Sequence, residues 1–382
     1  MDQAATSYPK PEAVIRAMAD YMTSNGASLH RGSGKRVQEV EFAVLNLRER
    51  LCALFNHDSI KRAILTSGAT MALNTVLFGS LKGGDHVLVD SLAHNAVVRP
   101  LFELKKRGVT FSKIPVSPDG LCDLEAAEGL ITPSTRMLIL THASNVCGTI
   151  QDAEAFGRLC KKHDLLYVLD AAQAAGHIPV DFTAFNLDAL AVPSHKGLLG
   201  PAGIGALLLS ARLAQETEPL VFGGTGSLSA SETQPELLPD KFESGTPNLP
   251  ALFGFLAAIE SIDLPTRRRH ELELSSRFTD LLSRIPNLRL LGSPEPQSRV
   301  AVFSLDFLGQ DNGIVAARLE NEFNIYTRSG LHCAPWAHQA LGSFPQGAVR
   351  FSFSNFTTCE EVDLAADAVA GVVGSGGVKA GC

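Results

Sequence analysis

The chain predicts an α/β fold with a mostly parallel sheet, followed by a smaller α+β domain, and three features carry that reading. Short apolar runs alternate with helical patterns through the first half. Those runs are continuous rather than alternating in polarity, as strands covered on both faces require. From Ala251 the texture changes to a long helical segment and a second group of apolar runs. In order, "AILTS" precedes the helical "GATMALNTVLFGSL", "DHVLVD" precedes "NAVVRPLFELKKRG", and "RMLILTH" precedes "DAEAFGRLCKKHD". "LLYVLDAAQ" and "DALAVPSHKG" complete the first set. The second part reads as one helical segment ending near Arg284, then "VAVFSLDF", a helix from Gly313 to Glu322, "AVRFSFS" and a last helix from Glu360. The expected division is a large domain over 1–250 whose N-terminal segment packs near the small domain, a small domain over 251–372 that carries the Cys333 loop, and a flexible glycine-rich tail, 373–382.

Composition narrows the function classes. With 382 residues, 45% hydrophobic and 19% charged, the chain can bury a large core and hold about two domains. A formal charge of -7 without a dense Lys/Arg block argues against nucleic acid or an acidic membrane as partner, and "RRRH" at 267–270 reads as a solvated helix face. No apolar run reaches the length of a membrane span and "MDQAATSYPKP" has no leader pattern, so the expected address is cytoplasmic. Seven scattered cysteines without C-x-x-C spacing fit neither a disulfide framework nor a zinc site, and no metal is expected.

Open α/β sheets bind ligands beyond the carboxyl ends of their strands, so the residues just after each run are the ones that matter. Gly68, Ala69 and Thr70 open a helix where unpaired N–H groups could seat a phosphate; an ordinary helix start would look the same. His94 follows "DHVLVD", and Asn145 lies in the tight turn "ASNVCGT". Asp170 ends an apolar strand, with Gln173 one turn on; it is a helix cap or the partner of a protonated heterocycle. The sharpest signal is "PSHKGLLGPAGIG", where Lys196 stands beside His195 at the end of an apolar run, well placed to lose its proton and form a Schiff base. Phosphate seat, carboxylate and lysine are together what pyridoxal phosphate requires.

With these residues in place, the chain resembles the fold-type I pyridoxal-phosphate enzymes of the class V aminotransferase group, and within it the cysteine desulfurase and selenocysteine lyase family of SufS-like group II. The resemblance runs from "AATSYPKPEAV" through "DAAQAAGH", "SHKGLLGPAGIG", "FESGTPN" and "RSGLHCAP" to "VRFSFSNFTTCEEVD". It implies a seven-stranded, mostly parallel sheet domain with a smaller C-terminal domain, and pyridoxal 5′-phosphate held covalently by Lys196. It also implies that Asp170 pairs with the pyridinium nitrogen, Gln173 bonds the ring hydroxyl and His94 stacks on the ring. Thr70, Ala69 and His195 would line the phosphate and Asn145 the substrate. Arg350 would grip the substrate carboxylate, with Arg328 supporting the cysteine turn. Cys333 would take sulfur from L-cysteine, or selenium from L-selenocysteine, and pass it to an acceptor protein. Thr246 would reach the phosphate of a neighbouring subunit, which implies a homodimer.

The same fold supports two other readings: transamination or cystine lyase-type elimination, with Cys333 a loop residue, and a catalytically silent sulfur-relay partner. On the leading reading His332 and Arg328 would both favour the Cys333 thiolate. Departures from the family pattern are "MDQAAT" with a short first strand, Ala93 before the stacking histidine, and "GGTGS" at 223–227. Cys147 reads as a packing residue near the cofactor, Cys52, Cys122, Cys160 and Cys359 as packing or surface thiols, and Cys382 as part of the flexible tail.

Overall fold

A computed structural model describes residues 1–29, 34–228 and 230–375. The large domain is built on strands β1 (Ala63–Thr66), β2 (His86–Asp90), β3 (Thr110–Ile114), β4 (Thr135–Thr141), β5 (Leu166–Asp170), β6 (Ala189–Pro193) and β7 (Gly205–Leu209). Their order is β1-β7-β6-β5-β4-β2-β3, and β7 alone runs against its neighbours. Helices cover both faces because successive residues of one strand enter different cores. Leu138, Leu140, Leu169 and Leu190 pack on one side; Met137, Ile139, Val168 and Ala191 pack on the other. Register places Thr141 beside Asp170 and Asp170 beside Ala191, so β4 and β5 end together and β6 runs two residues further, to Pro193.

The small domain holds an antiparallel sheet of β8 (Leu288–Leu290), β9 (Val302–Phe307), β10 (Arg328–Gly330) and β11 (Ala348–Ser352), in the order β10-β11-β9-β8. Phe278, Phe303, Phe351 and Phe353 form its aromatic centre. The pairing of β10 with β11 sets Arg328 opposite Arg350.

Several expectations need correction. The single helical segment of 251–284 is two helices, Leu249–Glu260 and Leu264–Leu282, bent by 80°. The cause is local: Asp263 caps the second helix by accepting from Thr266 N, and Pro265 in its first turn cannot continue the first. Buried residues of the first helix, Leu252 and Phe255 among them, belong to the large core, so the small core begins after residue 260 rather than at 251. The "RRRH" stretch is not a solvated face. Arg267 is buried and donates to Gly197 O, Arg268 donates to Arg299 O, and His270 Nε2 bonds Thr357 O; Arg269 alone is exposed. The last helix runs through Ser375, past the expected start of the tail; Cys382 lies outside the described residues. The expected short first strand is one bridge, Asp2 to Ser352. Among the described residues no single helix is long and apolar enough to cross a membrane.

Candidate active site

A cavity of 230 Å³ opens at the carboxyl ends of these strands. Nine of the residues singled out above line it: Gly68, Ala69, Thr70, His94, Asn145, Asp170, Gln173, His195 and Lys196. Each is placed by the turn that ends its strand. The Lys196 turn is locked because a Cβ at Gly197 would collide with the Ala175 carbonyl and the His177 ring, so "DAAQAAGH" and "SHKG" interlock through a glycine. The helix Ala69–Ser80 starts at Gly68, whose φ of 147° lies outside the helical region, and no side chain caps its first N–H groups. Those donors stay free for an anion.

Burial governs the charges. It pushes the Lys196 ammonium down to about 8, opposed by Asp170 and reinforced by Arg350 and Arg328. Asp170 is raised by burial, offset by the Ala172 N–H that its Oδ1 accepts at 2.9 Å and by Lys196. No protein group bonds its other oxygen among the described residues. His94 is lowered to about 4 by burial and then by Lys196, and is neutral at pH 7. Its Nδ1 accepts from Ala96 N at 3.0 Å, capping the helix Asn95–Lys105, so the ring proton sits on Nε2. His195 is likewise lowered to about 4 by burial. Two buried polar atoms here lack protein partners: Asn145 Oδ1 and His195 Nδ1. Gln173 lends its amide nitrogen to Ala4 O at 2.9 Å.

The remaining candidates stand around this cavity rather than in it. Cys333 is exposed, in a turn where His332 and Cys333 both have left-handed backbone, φ 49° and 59°. The turn is pinned by Asn95 N to Cys333 O, 2.8 Å, and by Asn145 Nδ2 to His332 O, 2.7 Å. Arg328 Nη2 donates to Cys333 Sγ at 3.8 Å. His332, in contrast to expectation, gives the thiolate no positive charge. It is buried, its Nε2 donates to Ala348 O, and burial together with Arg350 pushes it down to about 2. Arg350 is buried; its Nη1 donates to Asn145 O and its Nη2 pairs with Asp2 at 2.7 Å. Thr246 is exposed in an adjoining cleft of 410 Å³, which also receives Gly224, Thr225 and Gly226 of "GGTGS" and shares Ser67, Met71 and Gly203 with the Lys196 cavity. Ala93 is buried packing. Cys147 is buried against Gly120 and Gly292, as a packing residue should be.

Sequence reasoning missed Asp2 and Asp90. Asp90 is wholly buried at the end of β2, accepts from Leu92 N and Thr141 N, and is pushed up to about 6 by burial, with Asp170 adding to the shift. Its signal matched that of Asp170, an acid closing an apolar run. Asp2 carries no comparable local signal.

A strand-end lysine, a buried carboxylate and an uncapped helix start in one cavity define a pyridoxal-phosphate type of site. The chain belongs to the aminotransferase class-V family, whose profile matches residues 1–364. It is 32% identical over 380 residues to a probable cysteine desulfurase of Methanothermobacter thermautotrophicus, covering 98% of this chain and 94% of that one. It is also 32% identical over 371 residues to a cysteine desulfurase of Escherichia coli strain SE11, covering 94% and 89%. Among solved structures, apo cysteine desulfurase from Thermococcus onnurineus NA1 superposes with a TM-score of 0.90 at 29% identity, over 98% of this chain and 94% of that one. The cysteine desulfurase CsdA from Escherichia coli gives 0.87 at 28%, with the same coverage.

Members of this family depend on pyridoxal 5′-phosphate, and the residues fit it. Lys196 offers an amine that burial keeps easily deprotonated, and Asp170 has an oxygen with no protein partner among the described residues. The uncapped N–H groups after Gly68 suit the phosphate. His195 Nδ1 and Asn145 Oδ1 are the unpartnered atoms that a polar ligand would satisfy.

Proposed function

We infer that this chain is a pyridoxal-phosphate-dependent cysteine desulfurase, converting L-cysteine to L-alanine and taking the sulfur onto Cys333. The observation that carries the reading is an exposed thiol on a turn pinned by Asn95 and by Asn145, the latter a lining residue of the cavity that holds Lys196. Bound to Lys196, the cofactor would supply an electron sink for the substrate Cα. Asp170 would keep a proton on the ring nitrogen. His94, neutral and fixed as the Nε2–H tautomer, would lie against the ring without adding charge. Lys196 Nζ, once free, would move a proton to and from the substrate carbons. Arg350 would orient the substrate through its carboxylate. The Cys333 thiolate attacks the substrate sulfur: the S–S bond forms, the C–S bond breaks with its electron pair staying on carbon, and a proton on that carbon completes alanine. A thiol acceptor or reductant then removes the sulfur from Cys333. L-selenocysteine is a second substrate on this reading, and a sulfur-acceptor protein the expected partner.

The same reading makes the active unit a homodimer in which Thr246 completes the neighbouring phosphate site. It is supported by the exposure of Thr246 in a cleft sharing three residues with the Lys196 cavity. The cytoplasmic address fits as well, since a reducing compartment returns Cys333 to its thiol. The test incubates the purified protein, loaded with pyridoxal phosphate, with L-cysteine and a reductant, and measures sulfide and alanine. Equal production of both is expected. Pyruvate and ammonia in place of alanine would assign elimination instead.

A further inference from the structure

The segment Asp2–Lys10 laces together three parts of the site. Ser7 N and Lys10 Nζ donate to His195 O, each at 2.9 Å, next to Lys196. Ala4 O accepts from Gln173 Nε2, and Ala4 N donates to Ser352 Oγ at 2.8 Å on β11. Between these ties Asp2 Oδ1 meets Arg350 Nη2 at 2.7 Å. The two side chains differ in exposure, 2% for Arg350 and 30% for Asp2.

The guanidinium is incompletely satisfied. Nη1 has a backbone carbonyl, Nη2 has Asp2, and the buried Nε has no partner. A carboxylate binds an arginine best through two parallel N–H···O bonds, and the edge carrying Nε is one such seat. Asp2 uses a single nitrogen. A buried cation held by one partly exposed carboxylate, with a spare donor beside it, suits a second carboxylate better than the one it has.

We propose that Asp2 is an internal occupant of the substrate's carboxylate seat: it neutralises Arg350 while the site is empty and yields the guanidinium to the carboxylate of the incoming amino acid. Asp2 is thus a specificity-determining residue. A ligand with an α-carboxylate displaces it, and an amine without one leaves it in place. The proposal rests on the reading of Arg350 given above. The N-terminal strap reports the exchange to His195 and Gln173, because the same nine-residue segment bonds His195, Gln173 and Arg350.

The test titrates holoenzyme with L-alanine, which has the carboxylate and no sulfur to transfer, and with cysteamine, which has the amine and thiol and no carboxylate. Binding is followed by the visible absorption of the cofactor in wild type, Asp2→Asn and Asp2→Ala. Loss of the competing carboxylate should tighten alanine binding about tenfold in both variants and leave cysteamine binding unchanged. The KM for L-cysteine should fall with it. Melting of the ligand-free variants should be lowered and regained more fully on adding alanine than in wild type. Alanine binding that is unchanged or weaker in both variants would overturn the proposal and leave Asp2 as a brace for Arg350. Equal changes for alanine and cysteamine would overturn it too, since the effect would then be on the fold. Wild type that binds cysteamine and alanine equally well would instead remove the carboxylate role of Arg350 itself.

Discussion

Around Lys196 the reactive groups are enclosed by strand ends and helix starts, whereas Cys333 stands on a turn of the small domain with its sulfur exposed. In the first region burial is the leading cause of every shift: Lys196 falls to about 8, His94 and His195 to about 4, and Asp170 rises. In the second, the sulfur's nearest charge is Arg328, itself exposed and 3.8 Å away. In the cavity burial sets the protonation of these groups; on the turn the sulfur stands exposed to solvent. Lys196 is set by a glycine contact that admits no Cβ, while His332 and Cys333 hold left-handed conformations that β-carbons disfavour, kept by hydrogen bonds to Asn95 and Asn145.

Replacing the lysine should break the comparison most severely. Lys196→Ala should lose the covalent cofactor and its yellow colour, and turnover should fall by at least about 10³-fold, since an acid–base group and the attachment point go together. The check is absorbance after borohydride treatment, with peptide mapping of the reduced cofactor. Reduced cofactor that stays bound to the variant after borohydride treatment and acid denaturation would assign the attachment to another residue.

Cys333→Ala should separate the two regions. Cofactor loading and alanine binding should match wild type, because neither uses the thiol, while sulfide from L-cysteine should drop by roughly 10²-fold or more. Wild type treated with cysteine and no reductant should carry one extra sulfur on the Cys333 peptide by mass spectrometry. Selenide release from L-selenocysteine should persist in part, since selenium leaves carbon more readily than sulfur. An unmodified Cys333 peptide together with full sulfide production would move the chemistry to another cysteine.

What the sequence made legible follows the same division. Lys196, Asp170 and His94 could be found because each follows a strand buried on both faces, and such strands print as unbroken apolar runs. The edge strand β3 escaped because "TFSKI" shows both polar and apolar faces, with Thr110 and Lys113 exposed. Strand β7 was hidden inside the glycine-rich lysine motif. Arg267 was misread because its neighbours in sequence are charged, whereas its partner, Gly197 O, is 70 residues away. The N-terminal segment was expected near the small domain, but the Asp2–Arg350 pair joins residues 348 apart and no local pattern announces those two partners.

A smaller effect tests the burial argument in isolation. Covalent attachment of the cofactor needs the neutral amine, so the rate of loading cofactor-free protein should rise about tenfold per pH unit below about 8 and level off above it. The sign for stability follows. The folded lysine has the lower pKa, so between about 8 and 10.5 the unfolded chain holds more protons and this group's contribution to stability rises with pH. Below about 8 both states are charged, and its penalty on the cofactor-free fold is fully present, on the order of 3 kcal/mol. A loading rate that keeps rising to pH 10 would mean the cavity is wetter than its lining implies.

The smallest effect belongs to the exposed side. Arg328 donates to the Cys333 sulfur, but water and salt reach both groups, and exposed ion contacts contribute little, ~1 kcal/mol or less. Arg328→Gln should therefore slow alkylation of Cys333 by iodoacetamide at neutral pH only about two- to fivefold. In wild type the same rate should fall as salt is raised, while the variant should be nearly indifferent to salt. A loss near 10²-fold would mean that the turn shields its ion pair as thoroughly as the cavity shields Lys196, and the contrast between the two regions would not stand. No loss, with salt dependence retained, would shift the role to Arg99, the other exposed cation whose charge reaches neighbouring His94. Because His332 is neutral, His332→Asn should leave the salt dependence in place and change reactivity only through the geometry of the turn.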